Sequence, residues 1–264
     1  MKKIIASIAV LLLLTTVYAM TADAADVYLD LSKVNDGIVG ISYNGEADTR
    51  YKVAISKDSE EYYYDYFGPG IEYFPLQNGS GNYKVSFLES ISGTKYRVIY
   101  TKNISAEIKS DIMVFLQSVQ NVNWDSKMES VTLARELVEG LTSDKDKVEA
   151  IYRYIVSNIE YDYEKINNID SRYVPDIEGT LKSKKGICYD YSALFASMLR
   201  SQGIPAKLVK GYTDKVDGYH AWNEVYIDGE WVVIDTTYDA IMRAYNPDEG
   251  YEKNKTEYRI ARIY

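Results

Sequence analysis

The sequence predicts an α+β chain: an N-terminal antiparallel β-sandwich of immunoglobulin or fibronectin-module size, followed by a second α+β unit. Three observations predict it. Hydrophobicity alternates with period two from Asp26 to about Ser105. After Ala106 the period lengthens to that of amphipathic helices. Alternation then returns between residues 217 and 239, around a tight Asp-Gly turn.

The N-terminus reads Met1-Lys2-Lys3, then the apolar run IIASIAVLLLLTTVYAM, then Ala22-Asp23-Ala24. A basic start, an apolar stretch and a small-residue site describe a signal peptide over residues 1–25, cleaved after Ala24 or Ala25. A retained anchor is the alternative, because roughly 17 apolar residues are borderline for spanning a bilayer. No later segment is apolar enough to span. The expected location is therefore secreted or extracellular, at the cell surface or cell wall included. The formal charge of −9 becomes about −10 on cleavage, with no Lys/Arg stripe to offset it. That argues against nucleic acid or an anionic membrane as partner.

Residues 26–106 form the first expected unit. The runs VYLDLS, GIVGISY, RYKVAIS, EYYYDYF, IEYFPL, YKVSFL and YRVIYTKNI are separated by Asn35-Asp36-Gly37, Asn44-Gly45, Gly68-Pro69-Gly70, Asn78-Gly79-Ser80-Gly81 and Ser92-Gly93. About seven short strands so punctuated fit a sandwich. The clustered tyrosines of EYYYDYF suit half-buried strand faces, with an aromatic ligand surface as the alternative. A linker at about residues 103–112 opens the second unit, residues 107–264.

In that unit Ser126-x-x-Glu129 reads as a capping box before a helix carrying Val131, Leu133, Ala134 and Leu137. Ser143-x-x-Asp146 opens another, with the stripe Val148, Ile151, Tyr152, Ile155 and Val156. A third helix follows Cys188, through Tyr191, Leu194, Phe195, Met198 and Leu199, and ends at Gly203 and Pro205. Cys188 is the chain's single cysteine, so no intramolecular disulfide can form. In the first turn of a helix a thiol meets unpaired N–H groups and the positive end of the dipole, which favour the thiolate. A buried inert cysteine is the alternative.

The stretch DGYHAWNEVYIDGEWVVIDTTYD, residues 217–239, holds the single histidine. If Asp228-Gly229 is a two-residue type I′ loop, Ile227 faces Glu230, Trp222 faces Asp235 and His220 faces Thr237. His220 and Asp235 then become diagonal neighbours on one face, about 7 to 8 Å apart at the backbone. Cys188, His220 and Asp235 supply a nucleophile, a base and a group to orient the base. Trp222 and Trp231 share that face and are candidates for holding substrate or shielding the site, with core packing as the alternative. One cysteine and one histidine do not make a usual zinc site, so neither metal nor cofactor is expected.

The run TLKSKKGICYDYSALFASMLRSQGIPAKLVKGY, followed by HAWNEVYIDGEWVVIDTTYD, resembles the transglutaminase-like superfamily. Gly186, Cys188, the Gly203-Ile204-Pro205-Ala206 helix exit, Gly211-Tyr212, His220-Ala221-Trp222-Asn223-Glu224, Trp231 and Asp235 fall in the family's order, over about residues 110–240. Thr236 departs from the proline often found there. The resemblance implies a papain-like α+β core, Cys188 as nucleophile, His220 as general base and Asp235 as its orienter. It also implies acyl transfer through a thioester, to water or to an amine, on a protein or peptide substrate, cell-wall peptides included. The alternative is a non-catalytic extracellular binding protein with an inactive core of this type.

Overall fold

The computed structural model describes residues 26–46, 48–243, 245 and 250–264. The proposed signal peptide, residues 1–25, lies outside the described residues. Each alternating run of the first unit forms a strand: β1 (Tyr28–Asp30), β2 (Ile38–Ser42), β3 (Tyr51–Lys57), β4 (Glu60–Tyr66), β5 (Glu72–Pro75), β6 (Gly81–Ser92) and β7 (Lys95–Ala106). They divide into a three-stranded sheet, β1-β2-β5, and a four-stranded sheet, β4-β3-β6-β7, with every neighbouring pair antiparallel. Val39, Ile41 and Phe74 from the first sheet meet Val53, Ile55, Val85 and Phe87 from the second in one apolar core. The period-two pattern thus turns one face of each sheet inward. In EYYYDYF it buries Tyr62, Tyr64 and Tyr66 and exposes Tyr63, so the inward tyrosines of this cluster are core.

The second unit opens with two helices, α1 (Glu129–Leu137) and α2 (Asp144–Asn158). Ser143 caps α2 as expected, accepting the Asp146 N–H. Ser126 does not cap α1, whose N-cap is Met128. The free N–H groups of Glu129 and Ser130 are taken instead by the Glu178 carboxylate, at 2.7 and 3.1 Å. A distant anion at a helix N-terminus does the work of a local cap and adds a favourable dipole interaction.

Next come β8 (Glu160–Tyr161), α3 (Lys165–Asn168), α4 (Ile177–Ser183) and β9 (Lys185–Gly186), with β8 and β9 paired in parallel. The central helix α5 (Cys188–Ser201) follows. It ends where the sequence predicts: Gly203 takes φ +78°, its N–H reaches the Arg200 carbonyl, and the Ile204 N–H reaches the Leu199 carbonyl. Those two bonds make a Schellman stop.

β10 (Ala206–Thr213), β11 (His220–Ile227), β12 (Glu230–Ile234), α6 (Thr236–Met242), β13 (Glu252–Lys253) and β14 (Tyr258–Ile263) complete the chain. The sheet order is β13-β12-β11-β10-β14. α5 packs on the face that carries Leu208, Ala221 and Val225. The C-terminal tail therefore finishes this sheet, with β14 antiparallel to β10. The two units pack together directly: the Tyr264 ring lies 6.0 Å from both Tyr62 and Tyr64, and Phe115, which follows the linker but is buried in the core of the sandwich, meets Trp231 edge-on at 5.4 Å.

Arg200, 2% exposed near the end of α5, fixes this arrangement. Its guanidinium donates to the carbonyls of Ala206, Gln117 and Tyr264, which belong to three separate segments. Burial pushes it down to about 9, so the charge itself is costly there and the gain lies in the acceptors it satisfies. Arg200→Met is expected to leave those carbonyls without their donor and to lower stability by about 3 kcal/mol, read as a lower urea midpoint at an unchanged slope.

Candidate active site

The loop that delivers Cys188 is held from several sides. The parallel β8–β9 pair aligns Tyr161 with Gly186. Asp190, fully buried in the first turn of α5, accepts the Ile187 N–H at 2.8 Å, pairs with Lys165 at 2.7 Å and receives the Tyr173 hydroxyl. A side chain at Gly186 would put its Cβ 2.7 Å from the Asp190 Cβ, so glycine lets the loop close onto this carboxylate. Cys188 thus starts α5 as expected, half-buried and reduced.

His220 is delivered by the hairpin. Asp228 and Gly229 take φ +52° and +89°, as a type I′ loop requires, and the ladder runs from Ile227 opposite Glu230 to Asn223 opposite Ile234. The expected register is therefore present. β12 stops at Ile234, however, and Asp235 is the N-cap of α6 rather than a strand residue. Its two oxygens divide the work. Oδ1 accepts the Tyr238 N–H at 3.0 Å, while Oδ2 meets His220 Nε2 at 2.8 Å and receives the Tyr258 hydroxyl at 3.2 Å.

The carboxylate of Asp235 can only accept, so Nε2 carries the proton and Nδ1 is left to face Cys188, which also acts on the ring. Burial works against the imidazolium, but hydrogen bonds to Asp235 and Cys188, with the charge of Asp235, outweigh it and push His220 up to about 10. The structure thus brings Cys188, His220 and Asp235 together in one chain of contacts. Tyr258 is a further member that sequence reasoning missed. Burial, and then the charge of Asp235, raise its phenol well above the usual range, so it stays a neutral donor to that carboxylate.

Neither tryptophan is placed to hold a substrate, and of the two only Trp222 shields the site. Trp222 has no exposed surface; it packs with Val209, Val233 and Tyr258 and stacks on His220 at 6.3 Å between centroids. It shields and seats the imidazole and has no surface to offer a substrate. Trp231 lies opposite Tyr226, six residues along β11 from His220 and so about 20 Å away. There it packs on Phe115 and Tyr226, with the Lys207 ammonium 3.9 Å from its ring centroid. It belongs to the junction between the two units. The neighbouring motif residues are structural as well. Asn223 ties α5 to β10 by donating to the Ser192 and Lys207 carbonyls, and Glu224 pairs with Lys207 at 2.7 Å.

Gly211 sits opposite His220. A Cβ there would clash with the Arg259 carbonyl oxygen and stand 2.8 Å from the Trp222 ring, so its absence lets β14 and the indole close in behind the histidine. Among the described residues no group of three or more His, Cys, Asp or Glu could hold a metal ion, and no helix is long and apolar enough to cross a membrane.

An antiparallel sheet with a cysteine at the start of its central helix, and a histidine and an aspartate from its hairpin, defines a transglutaminase-like core. Residues 131–236 match the model of the transglutaminase-like superfamily. Kyphoscoliosis peptidase of Mus musculus is 33% identical over 117 residues, covering 40% of this chain and 17% of the relative. Uncharacterized protein YebA of Bacillus subtilis is 29% identical over 178 residues, covering 60% and 23%. A solved chain from Cytophaga hutchinsonii, provisionally named a cysteine protease, aligns at 22% identity with a TM-score of 0.44, over 74% of this chain and 68% of its own. The chain therefore spans less than a quarter of the length of these two curated relatives.

Proposed function

We propose that the protein is an exported cysteine-dependent acyl-transfer enzyme acting on amide bonds of proteins or cell-wall peptides. The observation that carries this is the hydrogen bond of His220 to Asp235 at 2.8 Å with Cys188 acting on the same ring, which together hold the histidine protonated to about 10. The Cys188 sulfur, as thiolate, attacks the amide carbonyl to form a C–S bond and a tetrahedral oxyanion. The Cys188 N–H, free of intrahelical partners at the start of α5, is a donor for that oxygen.

The intermediate collapses with cleavage of the C–N bond, and Nδ1–H of His220 gives its proton to the leaving amine. Neutral His220 then takes a proton from water or from an incoming amine, which displaces the sulfur and regenerates the thiolate–imidazolium pair. Asp235 fixes the tautomer and faces the positive ring throughout, with Tyr258 and the α6 N-terminus fixing Asp235.

The test is incubation with an unstructured protein such as casein, following released amine together with incorporation of a labelled primary amine. Either signal, abolished once Cys188 has been alkylated by iodoacetamide, is the expected result. Activity that survives complete alkylation of Cys188 contradicts the proposal.

A further inference from the structure

Lys210 is a charged group beside the nucleophile that the proposed mechanism does not use. It lies on β10 opposite Ala221, on the face that α5 covers, and its charge acts on Cys188. Its ammonium sits over the Tyr189 ring, 3.3 Å from the centroid, with the Tyr264 ring at 5.2 Å. The side chain is half-buried, and no carboxylate among the described residues pairs with it. The other buried and half-buried lysines of the described chain each have a carboxylate within 4.0 Å, Lys165 with Asp190, Lys207 with Glu224 and Lys253 with Asp239 among them. In a chain with 39 acidic against 30 basic residues, a half-buried lysine without a carboxylate is the exception.

Burial pushes Lys210 down to about 8 and the neighbouring sulfur pulls the other way, so an anion arriving from solvent would add to a compensation that no carboxylate supplies. The chain reaches the surface at the neighbouring ends of β10 and β11. Tyr212 and Tyr219, each about half exposed, face one another there with ring centroids 5.5 Å apart.

We propose that Lys210 is an anion subsite of the active site, receiving a substrate carboxylate close to the amide that Cys188 attacks. The enzyme then selects peptides that carry a free carboxylate near the scissile bond over their neutral counterparts. This rests on the acyl-transfer reading for its biological meaning, yet the subsite can be tested without turnover.

The experiment compares alkylation of Cys188 by iodoacetate, an anion, and by iodoacetamide, its neutral analogue, in wild type, Lys210→Met and Lys210→Arg. Lys210→Met is expected to lower the iodoacetate-to-iodoacetamide rate ratio roughly tenfold, with Lys210→Arg close to wild type and the iodoacetamide rate falling far less than the iodoacetate rate. An unchanged ratio overturns the proposal. So does an equal fall in both rates, which would mean that Lys210 tunes only the sulfur. Lys210→Gln serves in place of Lys210→Met if that variant does not fold. The catalytic reading fails separately, if His220→Ala leaves alkylation by both reagents unchanged, and the Lys210 ratio remains readable in that background.

Discussion

Exchanging Asp235 for asparagine is expected to lower kcat/KM by about 10⁴-fold while the protein stays folded. Asparagine is as good an N-cap as aspartate, so its carbonyl can keep the Tyr238 N–H that Asp235 Oδ1 accepts. Its NH₂ group then replaces the oxygen facing His220 Nε2. A donor there demands an acceptor, so the ring must place its proton on Nδ1, and it can no longer take one from Cys188.

The pH profile should move with it. Wild-type His220 is held protonated to about 10 with Asp235 as a major cause, so the acid that protonates the leaving amine is present below that pH and lost above it. Without the carboxylate the ring falls toward about 6.5, and the alkaline limb of the rate profile moves down accordingly. Asp235→Ala should add a stability loss of about 1 kcal/mol by uncapping α6. Comparing the two variants in urea unfolding and in the rate profile separates the two duties of one carboxylate.

Cys188→Ala is expected to abolish turnover, at least about 10⁴-fold, with stability changed by less than about 1 kcal/mol. The residue is half-buried at the first position of α5, where alanine suits the helix and little apolar surface is lost. The casein assay together with a urea unfolding curve checks both halves. An acyl-transfer enzyme loses its effect with its sulfur; a binding protein would retain it in full.

How much of this was legible in the sequence depends on the range of the contact involved. The seven strands of the first unit are local features, because side-chain alternation and turn residues lie within each run. How those strands divide between two sheets is not local, and the sequence left it open. The Cys188 helix start, its stop at Gly203 and the Asp228-Gly229 register are likewise written in short motifs. α6 was missed because Asp235 was read as a strand residue, although an Asp before Thr236-Thr237-Tyr238 is also a cap signal.

Other parts of the site have no local signature. Tyr258 lies 23 residues from the aspartate it touches, and Glu178 caps a helix 49 residues away. Asp190 left one trace, an acidic residue in the first turn of a helix, where it favours the dipole. Trp222 and Trp231 were placed correctly by parity relative to the hairpin, yet parity cannot say what covers a face. One proved sealed behind His220 and the other lies at the junction with the sandwich.

The measurement that bears most directly on the central claim is the pH dependence of Cys188 alkylation by iodoacetamide, in wild type and in His220→Ala. A thiolate–imidazolium pair predicts fast wild-type reaction well below pH 8, with little change until His220 titrates near 10, and a variant whose rate rises only through the ordinary thiol range at about 8.5. Two coincident curves that both rise only above about pH 8 would contradict it.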